Sequence, residues 1–284
     1  RAVALICTLQ AGYTNFPNLG WVTEMICSEE ALIGVSISGM MDNPTLAFDE
    51  AVQREAAQIV KDVNRDIAHK IGVNPAARTT CVKPAGTESL VFGCIGAGIH
   101  PHHARRYFRR IIANPNEPPY VFFKKYNPHM CMQVKDTEDI ITFCVEAPDN
   151  AITRDDITAI EFLEKVMLTQ ENWVNGGKAD SKLHPSARNS ISHTVTVRED
   201  EWDDVREFIW NHRESLAGVT LLQYSGDKEY VNAPREAVTS AADEAKWNEI
   251  VAKYQKVPYD QMLETDDSTA FQQEVACSGG KCDL

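Results

Sequence analysis

The last eight residues, Cys277-Ser-Gly-Gly-Lys-Cys282-Asp-Leu284, hold two thiols separated by four positions, with a glycine pair between them. Disulfide formation needs Cα atoms within roughly 7 Å of each other, and Gly279-Gly280 lets so short a loop fold back. Three chemistries compete for such a pair. Zinc would need two further ligands, and the tail offers no nearby histidine. A structural disulfide would close a loop too short to constrain much chain. A redox pair fits better: Lys281 favours the thiolate and Asp283 opposes it, so a thiol of ordinary acidity, ionised to about a few per cent near neutrality, remains available for exchange.

A second stretch, Lys83-Pro-Ala-Gly-Thr-Glu-Ser89, suits an anion. It lies between an expected strand and an expected helix start, where unpaired amides and the helix dipole favour phosphate. Lys83 adds charge, Gly86 allows close backbone approach, and Thr87 and Ser89 add hydroxyl donors. Glu88 competes for the same amides unless it points away or caps the helix. The motif is neither a Walker loop nor a dinucleotide fingerprint, and an ordinary strand-to-helix turn accounts for it at least as well on its own. Context follows in Gly98-Ile-His-Pro-His-His-Ala-Arg-Arg-Tyr-Phe-Arg-Arg110, with four arginines and three histidines. Arginine grips phosphate oxygens bidentately, so an anionic ligand is the expected partner. The plainer alternative is a solvated basic helix face paired with acidic groups. A metal on His100, His102 and His103 is disfavoured, because adjacent histidines do not readily face one ion.

These groups must be positioned by the pattern around them. Residues 1–18 fit a helix broken by Asn15-Phe-Pro-Asn18, and residues 31–39 alternate as a buried strand. Residues 45–70 fit a long helix with Phe48, Val52, Ala56, Ile59, Val63 and Ile67 on its apolar face. Residues 78–82 read as a strand and 88–92 as a helix opening. The alternation resumes with a helix over 157–173, a strand over 192–197, a helix over 201–211 and a strand over 218–222. Such alternation predicts an α/β fold with substantial parallel pairing. The chain turns helical from about residue 240. Residues 1–258 are expected to form the folded body and residues 259–284 a flexible acidic tail. If residues 265–276 are flexible they span about 20 Å as a coil and at most roughly 40 Å extended.

Lysine and arginine number 28 against 41 acidic residues, a net charge of −13, which argues against a general nucleic-acid or membrane-surface binder. At 43% hydrophobic content the 284 residues can bury a core without staples, so the eight cysteines are expected to be reduced and the location cytoplasmic. No apolar run is long enough to span a bilayer. The opening from Arg1 shows no signal-peptide cleavage pattern, and a fragment or processed product is the expectation.

Thr79-Thr-Cys-Val-Lys-Pro-Ala-Gly-Thr-Glu-Ser89 followed by Gly98-Ile-His-Pro-His-His-Ala-Arg-Arg-Tyr107 resembles the substrate-phosphate loop and following strand of ribonucleotide reductases, especially the adenosylcobalamin-dependent (class II) monomeric ribonucleoside-triphosphate reductases. Gly34-Val-Ser-Ile-Ser-Gly-Met-Met-Asp42, Gln170-Glu-Asn-Trp173, Asn189-Ser-Ile-Ser-His-Thr-Val-Thr-Val197 and Asp203-Asp-Val-Arg-Glu-Phe-Ile-Trp210 resemble further segments in the same order. The resemblance implies the later portion of a ten-stranded α/β barrel made of two five-stranded parallel halves. It also implies radical reduction of a ribonucleoside tri- or diphosphate, adenosylcobalamin as cofactor, and phosphate anchoring by Lys83, Pro84, Ala85, Gly86, Thr87, Glu88 and Ser89. Cys277 and Cys282 would be the shuttle that reduces the active-site disulfide and is reduced in turn by thioredoxin or a similar dithiol. The family's radical cysteine stands in an Asn-Pro-Cys finger loop, which has no counterpart here, so this chain is not expected to turn over without a separate or missing amino-terminal part. Class I large subunits carry a late tyrosine pair; Gly218-Val-Thr-Leu-Leu-Gln-Tyr-Ser-Gly226 has a single tyrosine, which favours the cobalamin class. A class I fragment and a non-catalytic nucleotide-binding fragment are the alternatives.

Overall fold

The computed structural model describes residues 1–86, 96–179, 187–226 and 230–263. In chain order its elements begin with α1 (Ala2–Ala11), α2 (Trp21–Glu30), β1 (Val35–Ser36), the single turn α3 (Pro44–Ala47), α4 (Glu50–Ile71) and β2 (Thr80–Cys81). Then come β3 (Arg106–Ala113), α5 (Pro118–Tyr126), β4 (Cys131–Lys135), β5 (Glu138–Glu146) and α6 (Ala159–Thr169). The last are β6 (Thr194–Val197), α7 (Trp202–Asn211), β7 (Thr220–Gln223), β8 (Arg235–Ala237) and α8 (Ala241–Lys253). The expected body of residues 1–258 comprises two compact units, and the expected helix opening at 88–92 lies outside the described residues.

The first unit, Arg1–His102 with Pro148–Tyr224, is the α/β part. Strand β1 pairs in parallel with β2 (Val35↔Thr80), and β6 pairs in parallel with β7 (Thr194↔Thr220). A parallel bridge, Val82↔Ile191, joins the two pairs into the order β1-β2-β6-β7. Apolar strand residues Val35, Val82, Ile191, Val195 and Val197 pack with Ala57 and Val60 of α4 and Phe162, Leu163 and Val166 of α6. Fully burying side chains of this size contributes about 1.5–3 kcal/mol each.

Helix α4 differs from expectation in two ways. Phe48 and Asp49 interrupt the run, because Asp49 caps α4 by accepting from the Val52 amide at 2.9 Å. The buried stripe is also displaced by one residue, to Gln53, Ala57, Val60, Asn64 and Ala68, leaving Val52 exposed. Polar residues occupy the stripe because they satisfy backbone groups that the core would otherwise strand. Gln53 Nε2 donates to the Ala47 carbonyl at 2.7 Å, and Asn64 accepts from the Ala76 amide at 2.8 Å while donating to Thr8 at 3.0 Å. Helix α6 begins with a reciprocal Thr158–Glu161 capping box and runs into a π-turn over Gln170–Val174. Helix α1 stops at Ala11 rather than near residue 18.

The second unit, His103–Ala147 with Ser225–Leu284, carries an antiparallel sheet of order β4-β5-β3-β8. Strands β4, β5 and β8 were not expected from the sequence pattern. Strand β3 pairs with β5 along its whole length, from Arg106↔Glu146 to Ala113↔Asp139. Phe108, Tyr120, Phe123, Met130, Ile141, Trp247, Ile250 and Val257 form its core. A Ser240–Asp243 capping box starts α8. Among the described residues no helix is long and apolar enough to cross a membrane.

Candidate phosphate-binding loop

Strand β2 is held from both sides before the loop begins. Thr79 Oγ1 donates to the Gly177 carbonyl at 2.8 Å and Thr80 Oγ1 to that of Trp173 at 2.7 Å, while Trp173 Nε1 donates to the Cys81 carbonyl at 2.8 Å. Strand alternation then separates two faces. Val82 and Ile191 point into the core, whereas Ser190 and Ser192, flanking Ile191, meet the side chain of Lys83. The Lys83 ammonium donates to Ser192 Oγ at 3.1 Å and Ser190 Oγ at 3.5 Å, and the Lys83 amide donates to Ser36 Oγ at 2.9 Å. Among the described residues no carboxylate pairs with this exposed ammonium. An uncompensated cation beside two hydroxyls, where parallel strands end, is the usual place for an anionic ligand in an α/β sheet.

The loop's backbone is strained where it turns and closed where it ends. Ala85 has φ 48°, a left-handed conformation unusual for a residue with a Cβ. Gly98 has φ 58°, and a Cβ there would collide with the Lys83 carbonyl and approach Pro84 Cα at 3.3 Å, so glycine is required on both counts. The stretch 96–98 is fastened to the turn after β1: Gly39 donates to the Gly96 carbonyl at 3.0 Å and Met40 to that of Gly98 at 3.1 Å. In return the Gly98 amide donates to Ser38 Oγ at 3.1 Å and the Gly96 amide to Asp42 Oδ1 at 2.9 Å.

Of the sequence-derived site residues, the structure places Lys83, Pro84, Ala85 and Gly86 at this crevice; Thr87, Glu88 and Ser89 lie outside the described residues, as do Cys277 and Cys282. Sequence reasoning did not assign Ser36, Ser38, Asp42, Gly96, Gly98, Ser190 or Ser192 to the site. The period-two spacing of Ser190 and Ser192 and the glycine pair at 96 and 98 are the signals that could have found them.

The basic segment behaves differently from the expectation of a shared anion site. It enters strand β3, not a helix face, and two of its arginines meet carboxylates within the second unit. Arg106 pairs with Glu146 at 2.8 Å and Glu244 at 3.4 Å, and Arg110 pairs with Glu236 while donating to the Ala233 carbonyl at 2.9 Å. Arg109 lies opposite Arg235 across the β3–β8 pairing, and burial together with that neighbour lowers its pKa. His100 is fixed as a neutral ring, its Nδ1 donating to the Ala97 carbonyl at 3.0 Å and its Nε2 accepting from the Thr194 amide at 3.1 Å. Cys7, Cys27, Cys81, Cys131 and Cys144 are free thiols. Burial pushes the Cys81 thiol up, and that of Cys144 to about 11, as expected of packing residues and unlike nucleophiles.

No family model matches the chain. It is similar to the adenosylcobalamin-dependent ribonucleoside-triphosphate reductase of Levilactobacillus brevis, at 25% identity over 86% of this chain and 36% of that protein. It is also similar to the protein of the same name from Lactobacillus acidophilus, at 23% identity over 98% of this chain and 40% of that protein. A crystal structure of a B-12 dependent (class II) ribonucleotide reductase superposes with a TM-score of 0.68 at 19% identity, covering 87% of this chain and 38% of the other. The chain thus shares that protein's fold over most of its length and spans about two fifths of the length of the curated relatives it matches. The resemblance read in the sequence is borne out by these likenesses.

Proposed function

We propose that this chain is the phosphate-gripping and reductant-delivering part of an adenosylcobalamin-dependent ribonucleoside-triphosphate reductase acting in the cytoplasm. The observation that carries the binding role is the Lys83 ammonium, held by Ser190 and Ser192 and left without a carboxylate among the described residues. Similarity along 98% of the chain to a reductase of that name supports the assignment of class. In this reading β1-β2-β6-β7 belong to the later half of a ten-stranded barrel, and Lys83 through Ser89 anchor the substrate's phosphates. The radical cysteine comes from sequence that this chain does not contain.

Bound adenosylcobalamin would supply the radical that starts the chemistry. The described residues do not outline where it sits. The cavity between α4, α6 and α7 has a volume of about 360 Å³ and is lined by Glu50, Glu164 and Glu171, too small for a corrinoid, and no step is assigned through the cofactor. The chain's own chemistry is binding and thiol exchange. Lys83 and its serines fix the phosphates and so orient the ribose. Each turnover leaves an oxidised cysteine pair, and the thiols of Cys277 and Cys282 return it to two thiols by exchange through a mixed disulfide. The tail becomes the disulfide, giving up two electrons and two protons, and a thioredoxin-type dithiol reduces it again.

The test joins or mixes the chain with a matching amino-terminal part and follows deoxynucleotide formation. Turnover should require adenosylcobalamin; activity supported only by a metal-loaded radical subunit would move the chain to class I. Cys277→Ser and Cys282→Ser should each abolish thioredoxin-driven turnover, and full activity in both would refute the shuttle.

A further inference from the structure

The segment that closes the phosphate loop is gripped by a side-chain pair drawn from the turn after β1 and from the residue bridged to Thr153. Asp42, in the turn after β1, uses one oxygen twice: Oδ1 accepts from the Gly96 amide at 2.9 Å and from His102 Nε2 at 2.6 Å. His102 is anchored along its backbone, donating to the Ile152 carbonyl at 2.9 Å and accepting from the Arg154 amide at 2.8 Å, in a parallel bridge with Thr153. Its side chain is 1% exposed. Since the carboxylate can only accept, Nε2 carries the proton. Nδ1 is buried with no protein partner among the described residues. From this ring contacts run through Asp42 to Gly96, and Gly98 in the same stretch packs against the Lys83 carbonyl and Pro84 Cα.

We infer that Asp42 and His102 are a positioning pair that sets the base of the loop, and thereby the Lys83 ammonium, for a triphosphate. This rests on the phosphate-loop reading proposed above. A purely structural filler at this place would not need a carboxylate. Apolar side chains could fill the same space but could not accept from the Gly96 amide, so the value of the pair lies in the hydrogen-bond geometry it imposes. Gly96 is a close fit to the carboxylate, since a Cβ on it would stand 2.5 Å from Oδ1. At metal sites, partners that orient a ligand from behind change affinity about 10–100-fold when removed, and a loss on that scale is expected here.

The experiment titrates CTP and inorganic triphosphate into the protein at its full natural length, by calorimetry, with thermal unfolding recorded for each variant. Asp42→Ala should weaken both ligands about 10–100-fold, while Asp42→Asn, which keeps an acceptor oxygen in place, should recover most of that loss. Gly96→Ala, which displaces Asp42 and leaves its charge intact, should weaken both about tenfold and decides the matter if Asp42→Ala does not fold. Lys83→Met separates the two layers of the argument. If Lys83→Met weakens binding while folded Asp42→Ala and Gly96→Ala do not, the positioning role is overturned and the phosphate loop stands. Equal losses in Asp42→Ala and Asp42→Asn would also overturn it, since charge and not hydrogen-bond geometry would then be responsible. If Lys83→Met leaves both affinities unchanged, the phosphate-loop reading falls, and the role of the pair falls with it.

Discussion

The two units use positive charge in opposite ways. In the parallel unit a single lysine, Lys83, lies beside serine hydroxyls with no carboxylate among the described residues to neutralise it. In the antiparallel unit the arginines are dense in sequence, yet Arg106 and Arg110 are matched to Glu146, Glu244 and Glu236. A guanidinium already paired with a carboxylate has little left to offer a ligand, whereas a cation held only by neutral hydroxyls keeps its charge for one. Local density of basic residues is therefore a poor guide to which cations stay unneutralised; pairing decides.

The comparison can be broken by four measurements. The largest effect is expected in the antiparallel unit, where Asp139 accepts from both Tyr120 and Lys124 (2.7 Å for the latter) although it is 1% exposed. Asp139→Ala should destabilise the protein by about 2–3 kcal/mol in chemical denaturation, because it strands the buried Tyr120 hydroxyl and removes the partner of half-exposed Lys124. It should leave triphosphate affinity unchanged; a loss of binding on the folded variant would show that this charge network also serves the ligand.

Lys83→Met should lower triphosphate affinity about 10–100-fold, the worth of roughly 1.5–3 kcal/mol for hydrogen bonds to a charged group. Its unfolding midpoint should stay within error, because the side chain is exposed. Arg110→Gln should cost about 1–2 kcal/mol of stability through the Glu236 pair and the Ala233 carbonyl, with triphosphate binding intact. If Arg110→Gln instead weakened binding as much as Lys83→Met, the contrast between the units would collapse.

The smallest effect is a pH dependence. Hydrogen bonds from Lys124 and Tyr120 hold the Asp139 carboxyl below its ordinary range. A depressed carboxylate contributes stability that is fully present above the unfolded-state value near about pH 4 and is lost as pH falls through the lower folded-state value. The wild-type unfolding free energy should therefore fall more steeply below about pH 4 than that of Asp139→Asn; identical slopes would remove Asp139 from the account.

Much of this was legible in one dimension. Period and punctuation gave the helices α6, α7 and α8 and the strands β2, β6 and β7, because each has an apolar repeat of its own and a capping or turn residue beside it. Of the antiparallel strands, β4, β5 and β8 were not legible, and β3 only through the family resemblance. In β3 the run Arg106-Tyr-Phe-Arg-Arg-Ile-Ile-Ala113 mixes charge and apolar residues, since both sheet faces are partly covered and its arginines pair across strands. The buried stripe of α4 was misplaced by one residue for a similar reason: Gln53 and Asn64 belong inside only because Ala47, Ala76 and Thr8 are there to bond them.

The sequence by itself determined the parallel α/β alternation, the loop at Lys83 and the terminal Cys277 and Cys282 pair, since backbone periodicity, glycine placement and thiol spacing are local properties. Tertiary structure alone decided which cations remain unneutralised and that Asp42, Gly96, Gly98 and His102 meet behind the loop. Those outcomes depend on partners 40 to 138 positions away along the chain, and no local rule of spacing carries that information.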